Sequence, residues 1–210
     1  ELEELIARKE APLLKEIIAS GIGLTDSGMP AEEARFLAPY LCPPKIWGIG
    51  LNSPRHAGDL KAETPKEEPA SFMKPSTAII GPGEPVLLPP QSAQVTGEAE
   101  IGVIIAEECR NVPLENVPEV ILGYTTIIDM TAVDILQKNP RYLTRSKSFD
   151  TFFSFGPYIV TADEIGDIKS LVITTWLNGR EHRSDTVGNM TFPPFELIAF
   201  HSRVMTLKPG

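Results

Sequence analysis

Positive charge is scarce in this sequence. Its 210 residues include 19 lysines and arginines against 28 aspartates and glutamates, which gives a formal net charge of −9. Because nucleic-acid binding requires a basic surface that neutralises phosphates, this balance argues against a nucleic-acid partner. Cysteine is scarce too: Cys42 and Cys109 form neither a disulfide framework nor a spacing typical of metal ligands. They predict reduced thiols in a cytoplasmic protein.

Long hydrophobic runs are also missing. The longest apolar stretches have the length of a strand, which excludes a transmembrane helix and predicts no membrane partner. The first residues are acidic and amphipathic, whereas a signal peptide has a basic segment before an apolar one. Proline and glycine are plentiful, with 20 and 16 residues, and they indicate many short strands and turns rather than a helical bundle.

The hydrophobic pattern divides the chain in two. Apolar residues recur at helical spacing from Leu2 to Ile18, which predicts an amphipathic helix in an N-terminal appendage, residues 1–44. Residues 45–210 form the main domain, predicted to be mainly β with a few peripheral helices, of the α+β class. A hairpin turn is predicted at Asn178 and Gly179. The predicted strands cover residues 45–51, 76–80, 86–88, 98–106, 120–129, 156–160 and 171–177, and the predicted helices residues 132–138 and 195–205.

Three acidic residues are placed where a strand would bring carboxylates together. Glu98 and Glu100 are one residue apart, so a strand directs both side chains to the same face, and Asp129 ends a second apolar run. Two carboxylates on one face repel each other unless a cation compensates them. Three such oxygen ligands suit a hard divalent cation, Mg²⁺ or Mn²⁺. On spacing alone, solvated carboxylates or charged residues that protect a sheet edge explain the pattern equally well.

Several sequence blocks, taken in order, resemble the fumarylacetoacetate hydrolase family. They are residues 48–52 followed by His56, and then residues 71–75, 97–101, 123–132, 147–152, 156–157 and 178–179. The resemblance implies a mixed, rolled, barrel-like β-sheet with peripheral helices and a homodimer. It also implies that Glu98, Glu100 and Asp129 bind Mg²⁺ or Mn²⁺ and that the substrate is a small 2-oxo acid. Family members continue beyond Gly210 with a segment that lines the active site, so the catalytic domain is expected to be incomplete at this end.

The resemblance also implies roles for further residues. His56 and Asp59 lie in a long polar loop, residues 52–69, and form a dyad that deprotonates water. Asp59 is a departure, because the family has glutamate at this position, and Ser53 replaces a tyrosine. The remaining implied roles are that Lys147 stabilises negative charge on the substrate and that the substrate contacts Asn52, Lys74 and Gln137.

Val133 is the most informative departure from the family pattern, which commonly has arginine there. Valine cannot replace a bidentate guanidinium, so the substrate or the reaction is expected to differ from that of the better-known hydrolases. Arg141 or Arg145 could compensate in space. Of the remaining histidines, His182 is predicted at the edge of the pocket and His201 inside a helix as a structural residue.

The expected activity is a metal-dependent hydrolysis. The enzyme would cleave a C–C bond in an acylpyruvate or a 2,4-dioxo acid, with the metal stabilising the enolate that develops. Two alternatives stay open. One is a decarboxylase or isomerase acting on a 2-oxo diacid such as an oxaloacetate-like or hydroxymuconate-like compound. The other is a family member that binds metal or ligand without catalysis.

Overall fold

The computed structural model describes residues 2–10, 13, 16, 20, 30, 32–54, 58 and 63–210. The strands within them are β1 (Ile46–Gly50), β2 (Ala70–Lys74), β3 (Ile79–Ile80), β4 (Val95–Ile105), β5 (Ile121–Ala132), β6 (Phe153–Phe155), β7 (Val160–Thr161), β8 (Val172–Leu177) and β9 (Arg180–Thr186). The α-helices are α1 (Leu2–Ala7), α2 (Val133–Lys138), α3 (Leu143–Lys147) and α4 (Pro194–Val204). Short 3₁₀ turns are Ser76–Ala78, Leu114–Val120, Pro140–Tyr142, Ala162–Glu164, Ile168–Ser170 and Val187–Asn189.

The central sheet has the strand order β3-β6-β5-β4, with β7 also paired to β5. Strands β4 and β5 are the longest, and they pair antiparallel from Val95 opposite Ala132 to Ile104 opposite Gly123. Because β3 runs parallel to β6 and the other pairs are antiparallel, the sheet is mixed. The predicted α+β class and mixed sheet are confirmed, and the sheets are open rather than closed into a barrel.

Two hairpin-like pairs flank the central sheet. Strands β1 and β2 pair antiparallel across the long loop, from Ile46 opposite Lys74 to Gly50 opposite Ala70. Strands β8 and β9 form a true hairpin around the predicted turn, where Asn178 and Gly179 have φ values of 51° and 74°. Positive φ at both central residues is what a tight two-residue hairpin turn needs, so this prediction is confirmed.

Apolar packing attaches the N-terminal helix to the sheet. Ile6 of α1 is 2% exposed and belongs to a buried cluster with Ala78, Phe153 and Phe155. On the other side, α4 contributes Ile198 to a second cluster, shared with the Leu114–Val120 turn and the start of β5. The described part of the N-terminal region therefore packs on the sheet, while the division of the chain at residue 44 stays a prediction.

Some sequence-based assignments are wrong. Residues 86–88 form no strand, because prolines on both sides remove backbone donors, and Leu87 and Leu88 are 63% and 70% exposed. Residues 76–80 begin as a 3₁₀ turn, so β3 keeps only their last two residues. Of the strand predicted at residues 156–160, only Val160 belongs to a strand, as the first residue of β7, and residues 156–159 connect β6 to β7. Within the described residues, no helix has the length and apolarity needed to cross a membrane.

Candidate active site

The three predicted carboxylates converge on one face of the β4–β5 pair. Glu98 on β4 lies directly opposite Asp129 on β5, and Glu100 is two residues further along β4, on the same face. One carboxylate oxygen from each residue lies within 4.8 Å of the others. Asp129 is 1% exposed, whereas Glu98 and Glu100 are half-buried. Strand alternation and cross-strand register together therefore assemble a cluster of three oxygen donors.

Two buried lysines reach this cluster from other elements. Lys74, at the end of β2, donates to Asp129 Oδ1 and, at 3.1 Å, to the backbone oxygen of Met130. Lys147, at the end of α3, donates to Asp129 Oδ2 at 2.5 Å and to Glu98 Oε2 at 3.3 Å. Each lysine is only 4% exposed. Buried ammonium groups need such partners, so both lysines act as internal counter-ions of the carboxylates.

Thr131 and Phe72 complete the surroundings of Lys147. The Lys147 ammonium donates to Thr131 Oγ1 at 2.7 Å, and that hydroxyl donates to Glu98 Oε1 at 2.9 Å. The same ammonium lies 4.6 Å from the centroid of the Phe72 ring. Sequence reasoning missed both residues, although each is two positions from a predicted site residue on the same strand and therefore on the same face.

Burial and neighbouring charges set the protonation of the cluster. Burial raises the pKa of Glu100 from 4.5 to about 8, and the negative charge of Asp129 adds to the effect. Burial also lowers the pKa of Lys74, an effect that Asp129 partly offsets. For Lys147, burial opposes the charged form, but the surrounding carboxylates outweigh it and raise the pKa above its ordinary value. In the metal-free protein at neutral pH, Glu100 therefore keeps its proton.

The donor set fits a divalent cation. All three donors are carboxylate oxygens, which hard cations such as Mg²⁺ and Mn²⁺ prefer. The Lys74 and Lys147 ammonium groups balance the charges of Asp129 and Glu98, and a proton neutralises Glu100. A bound cation would take the place of that proton, because a carboxylate ligand must be ionised.

Comparison with known proteins decides the family. Residues 45–210 match the family model described as Fumarylacetoacetate (FAA) hydrolase C-terminal. The chain belongs to the fumarylacetoacetate hydrolase family. In Rattus norvegicus, the protein named oxaloacetate tautomerase Fahd2a, mitochondrial, is 35% identical over 182 residues, which cover 87% of this chain and 58% of that protein. The chain thus spans less than two thirds of the length of this relative.

Solved structures of other family members are similar to this chain. Maleylpyruvate hydrolase from Sphingobium sp. SYK-6, in complex with manganese (II) ion and pyruvate, is 29% identical with a TM-score of 0.80, covering 100% of this chain and 72% of that chain. The 5-carboxymethyl-2-hydroxymuconate delta-isomerase of Mycobacterium smegmatis is 35% identical with a TM-score of 0.75, covering 87% of this chain and 68% of that chain. The fumarylacetoacetate hydrolase family therefore consists of enzymes that act on oxo acids by more than one reaction.

The other residues that the family resemblance implied are placed as follows. Both ends of the Asn52 amide bond the backbone of Phe192: Nδ2 donates to its oxygen at 2.9 Å, and Oδ1 accepts from its N–H at 2.8 Å. These two hydrogen bonds connect the residues after β1 to the segment before α4. Gln137 is exposed on α2. His56 and Asp59 lie outside the described residues.

Val133, the departure from the family pattern, is 3% exposed at the start of α2. Its N–H donates to the backbone oxygen of Gln94 at 2.9 Å, which joins α2 to the beginning of β4. Arg141 is exposed, and the Arg145 guanidinium lies 4.6 Å from the centroid of the Tyr142 ring. The position of Val133 therefore carries an apolar core residue, and Arg145 stacks on a neighbouring aromatic ring.

The two described histidines differ in their surroundings. His201 on α4 is 5% exposed, its Nδ1 lies 2.8 Å from the backbone oxygen of Leu197, and its ring meets Trp47 edge to face. The prediction that His201 is structural is consistent with this packing. His182 is exposed on β9. Its predicted place at the edge of the pocket stays a prediction.

The raised pKa of Glu100 gives a testable dependence of stability on pH. Glu100→Gln is expected to make the metal-free protein more stable than wild type, by an amount that grows from pH 4.5 to about 8. In that window the unfolded chain has lost the Glu100 proton while the folded chain still holds it, so the wild type loses stability as pH rises. Urea denaturation of both proteins in EDTA at a series of pH values measures this. A difference that stays constant across the window would contradict the raised pKa.

Proposed function

We propose that this chain carries the site of a divalent-metal-dependent enzyme acting on a 2-oxo acid. The observation that carries the proposal is the cluster of Glu98, Glu100 and Asp129, three oxygen donors within 4.8 Å of one another on adjacent strands. These residues would hold Mg²⁺ or Mn²⁺. The relative from Sphingobium, whose structure contains manganese and pyruvate, supports this proposal. When bound, the cation supplies Lewis-acid polarisation of a carbonyl oxygen.

The chain's own residues supply the rest of the site. Lys147 provides a buried ammonium beside the carboxylates, where its positive charge stabilises the negative charge that develops on the 2-oxo oxygen. Phe72 covers one side of that ammonium and keeps water from it. Lys74 holds Asp129 through Oδ1 and so orients that carboxylate. Asn52, Lys74 and Gln137 as substrate contacts stay predictions.

Hydrolysis of a C–C bond is the first candidate reaction. His56 and Asp59 would take a proton from water, and the resulting hydroxide would add to the acyl carbonyl of an acylpyruvate or 2,4-dioxo acid. The C–C bond then breaks with its electron pair moving to the pyruvyl fragment, which takes up a proton. The products are pyruvate and a carboxylic acid. The maleylpyruvate hydrolase relative, which matches the whole of this chain, favours this reaction.

Proton transfer on a 2-oxo diacid is the second candidate. The rat relative is named an oxaloacetate tautomerase, and its 35% identity favours this reaction. Keto–enol interconversion needs the same stabilisation of charge on the 2-oxo oxygen but no attacking water. Decarboxylation of such a diacid would use the same site and release CO₂.

A small substrate panel tests the proposed function. The metal-free protein, with and without added Mn²⁺ or Mg²⁺, is given acylpyruvates, 2,4-dioxo acids and oxaloacetate, with the metal ion alone as the control. We expect turnover only when protein and metal are both present. Pyruvate with a carboxylic acid indicates hydrolysis, loss of enol absorbance without CO₂ indicates tautomerisation, and CO₂ above the control indicates decarboxylation. Metal binding without turnover of any compound would point to a non-catalytic family member and refute the proposal.

The assembly and partners also stay proposals. We propose a homodimer that acts on a small molecule, with neither nucleic acid nor membrane as a partner. The sequence feature behind the last two points is the net charge of −9 together with the absence of long apolar runs.

A further inference from the structure

We propose that Thr131 is a positioning residue for the metal: its hydroxyl fixes the rotation of the Glu98 carboxylate, so that Oε2 is presented beside Asp129. The inference rests on the proposed function, because it assumes that these carboxylates bind a divalent cation. Thr131 is outside the carboxylate cluster and is proposed to act on the metal through Glu98.

The placement of Thr131 follows from the strand register. Thr131 is two residues after Asp129 on β5, so both side chains lie on the same face of the sheet. Its partner on β4 is Thr96, two residues before Glu98, which makes Thr131 and Glu98 diagonal neighbours across the strand pair. The residue is 1% exposed, so water cannot take over the bonds of its hydroxyl.

The donor and acceptor roles at the Thr131 hydroxyl follow from the number of protons on each group. An ammonium group can only donate, so Lys147 donates to Thr131 Oγ1 across 2.7 Å. The single hydroxyl proton is then directed to Glu98 Oε1 across 2.9 Å. The chain of donors therefore runs one way, from Lys147 through Thr131 to Glu98, and it supplies the Glu98 carboxylate with a hydrogen-bond donor inside the protein.

This bond settles the orientation of the carboxylate. The terminal torsion of a glutamate is broad, so the side chain alone does not fix the plane of its carboxylate group. With Oε1 bonded to Thr131, Oε2 lies 3.3 Å from Lys147 Nζ, the same atom that donates to Asp129 Oδ2 at 2.5 Å. Glu98 Oε2 and Asp129 Oδ2 are therefore held next to each other, both beside the Lys147 ammonium.

The expected loss of Mn²⁺ affinity follows from what is usual when a residue that hydrogen-bonds to a metal ligand is replaced. Residues that hydrogen-bond to a metal ligand typically change metal affinity by about 10- to 100-fold when they are replaced. Thr131→Val keeps the shape of the side chain and removes the hydroxyl, so we expect Mn²⁺ to bind at least about tenfold more weakly. Thr131→Ser keeps the hydroxyl and is expected to stay within about threefold of wild type, well below that range.

Isothermal titration calorimetry with Mn²⁺ alone, at one fixed pH, measures these affinities. Thr125→Val is the matched control, because Thr125 is a buried threonine on the same strand whose hydroxyl donates to the Tyr158 backbone oxygen at 2.7 Å. It should bind Mn²⁺ as wild type does. Thermal melting of the metal-free proteins verifies that each variant is folded. If Thr131→Val does not fold, Thr131→Ala makes the same comparison without the added methyl group.

Each outcome decides a different point. Wild-type affinity in Thr131→Val would overturn the inference while leaving the metal site intact. Equal weakening in Thr131→Ser and Thr131→Val would also overturn it, because packing rather than the hydroxyl would then be responsible. Equally weak Mn²⁺ binding by Thr125→Val would also overturn the inference, because a general loss of sheet stability would then explain the result. Absence of Mn²⁺ binding by the wild type would instead refute the metal assignment in the proposed function, and this inference with it.

Discussion

Replacing Glu100 by glutamine is expected to weaken Mn²⁺ binding by more than about a hundredfold while the fold stays intact, because loss of a ligand exceeds the cost of losing a residue that only supports one. Glutamine has the shape of glutamate and no charge. The folded, metal-free protein already holds Glu100 in its neutral form up to about pH 8. The substitution therefore removes a charge that only the metal-loaded protein needs.

Calorimetry with Mn²⁺ at a pH near 8, where the wild-type carboxyl begins to ionise, gives the sharpest comparison. The matched control is Glu119→Gln, an exposed glutamate in the turn between β4 and β5, which should bind Mn²⁺ as wild type does. Retention of wild-type affinity in Glu100→Gln would show that Glu100 is not a ligand. In the substrate panel, Glu100→Gln is expected to show no metal-dependent turnover, because the cation would no longer be held in the site.

Replacing Lys147 by methionine is expected to destabilise the metal-free protein by about 3 to 5 kcal/mol, the usual cost of removing one partner of a buried ion pair. The ammonium lies 2.5 Å from Asp129 Oδ2 and 3.3 Å from Glu98 Oε2, and it is 4% exposed. Methionine fills a similar volume but leaves these carboxylates without one of their counter-ions. Urea denaturation in EDTA at neutral pH measures the loss. The same variant should lose turnover, because the positive charge of Lys147 is proposed to stabilise the negative charge that develops on the 2-oxo oxygen.

Two further variants test whether the loss of stability in Lys147→Met comes from the missing charge rather than from altered packing. Lys138→Met replaces an exposed lysine at the end of α2 and should change stability little. In the double variant Lys147→Met with Asp129→Asn, removal of the paired carboxylate should restore part of the lost stability. Added Mn²⁺ should also stabilise Lys147→Met, since a divalent cation supplies the missing positive charge. Unchanged stability of Lys147→Met without metal would contradict its role as a counter-ion.

The carboxylate cluster could be predicted because its geometry is largely local. Alternation along a strand places Glu98 and Glu100 on one face whatever else the chain does. The pairing of Glu98 with Asp129 depends on the register of β4 with β5, which follows only once the two strands are known to be neighbours. The family resemblance supplied that information, since spacing alone left solvated carboxylates as an equal explanation.

The surroundings of the cluster could not be predicted in the same way. The bonds from Lys74 to Asp129 and to the Met130 backbone depend on how β2 lies against the central sheet, and its predicted contact with the substrate stays a prediction. The amide of Asn52, another predicted substrate contact, bonds the backbone of Phe192, which is 140 positions away in sequence. Such contacts between distant segments leave no periodic signal in either segment. Thr131, by contrast, was accessible from the two-residue period and was overlooked.

The origin of the two counter-ions also constrains the order in which the chain assembles. A β4–β5 hairpin formed by itself would place three carboxylates on one face without a positive charge nearby. The lysines that compensate them arrive on β2 and α3, which lie before β4 and after β5 in the chain. Covering that face has to wait for both segments, because uncompensated charges resist burial. We therefore expect the site to close in the late, long-range steps of folding.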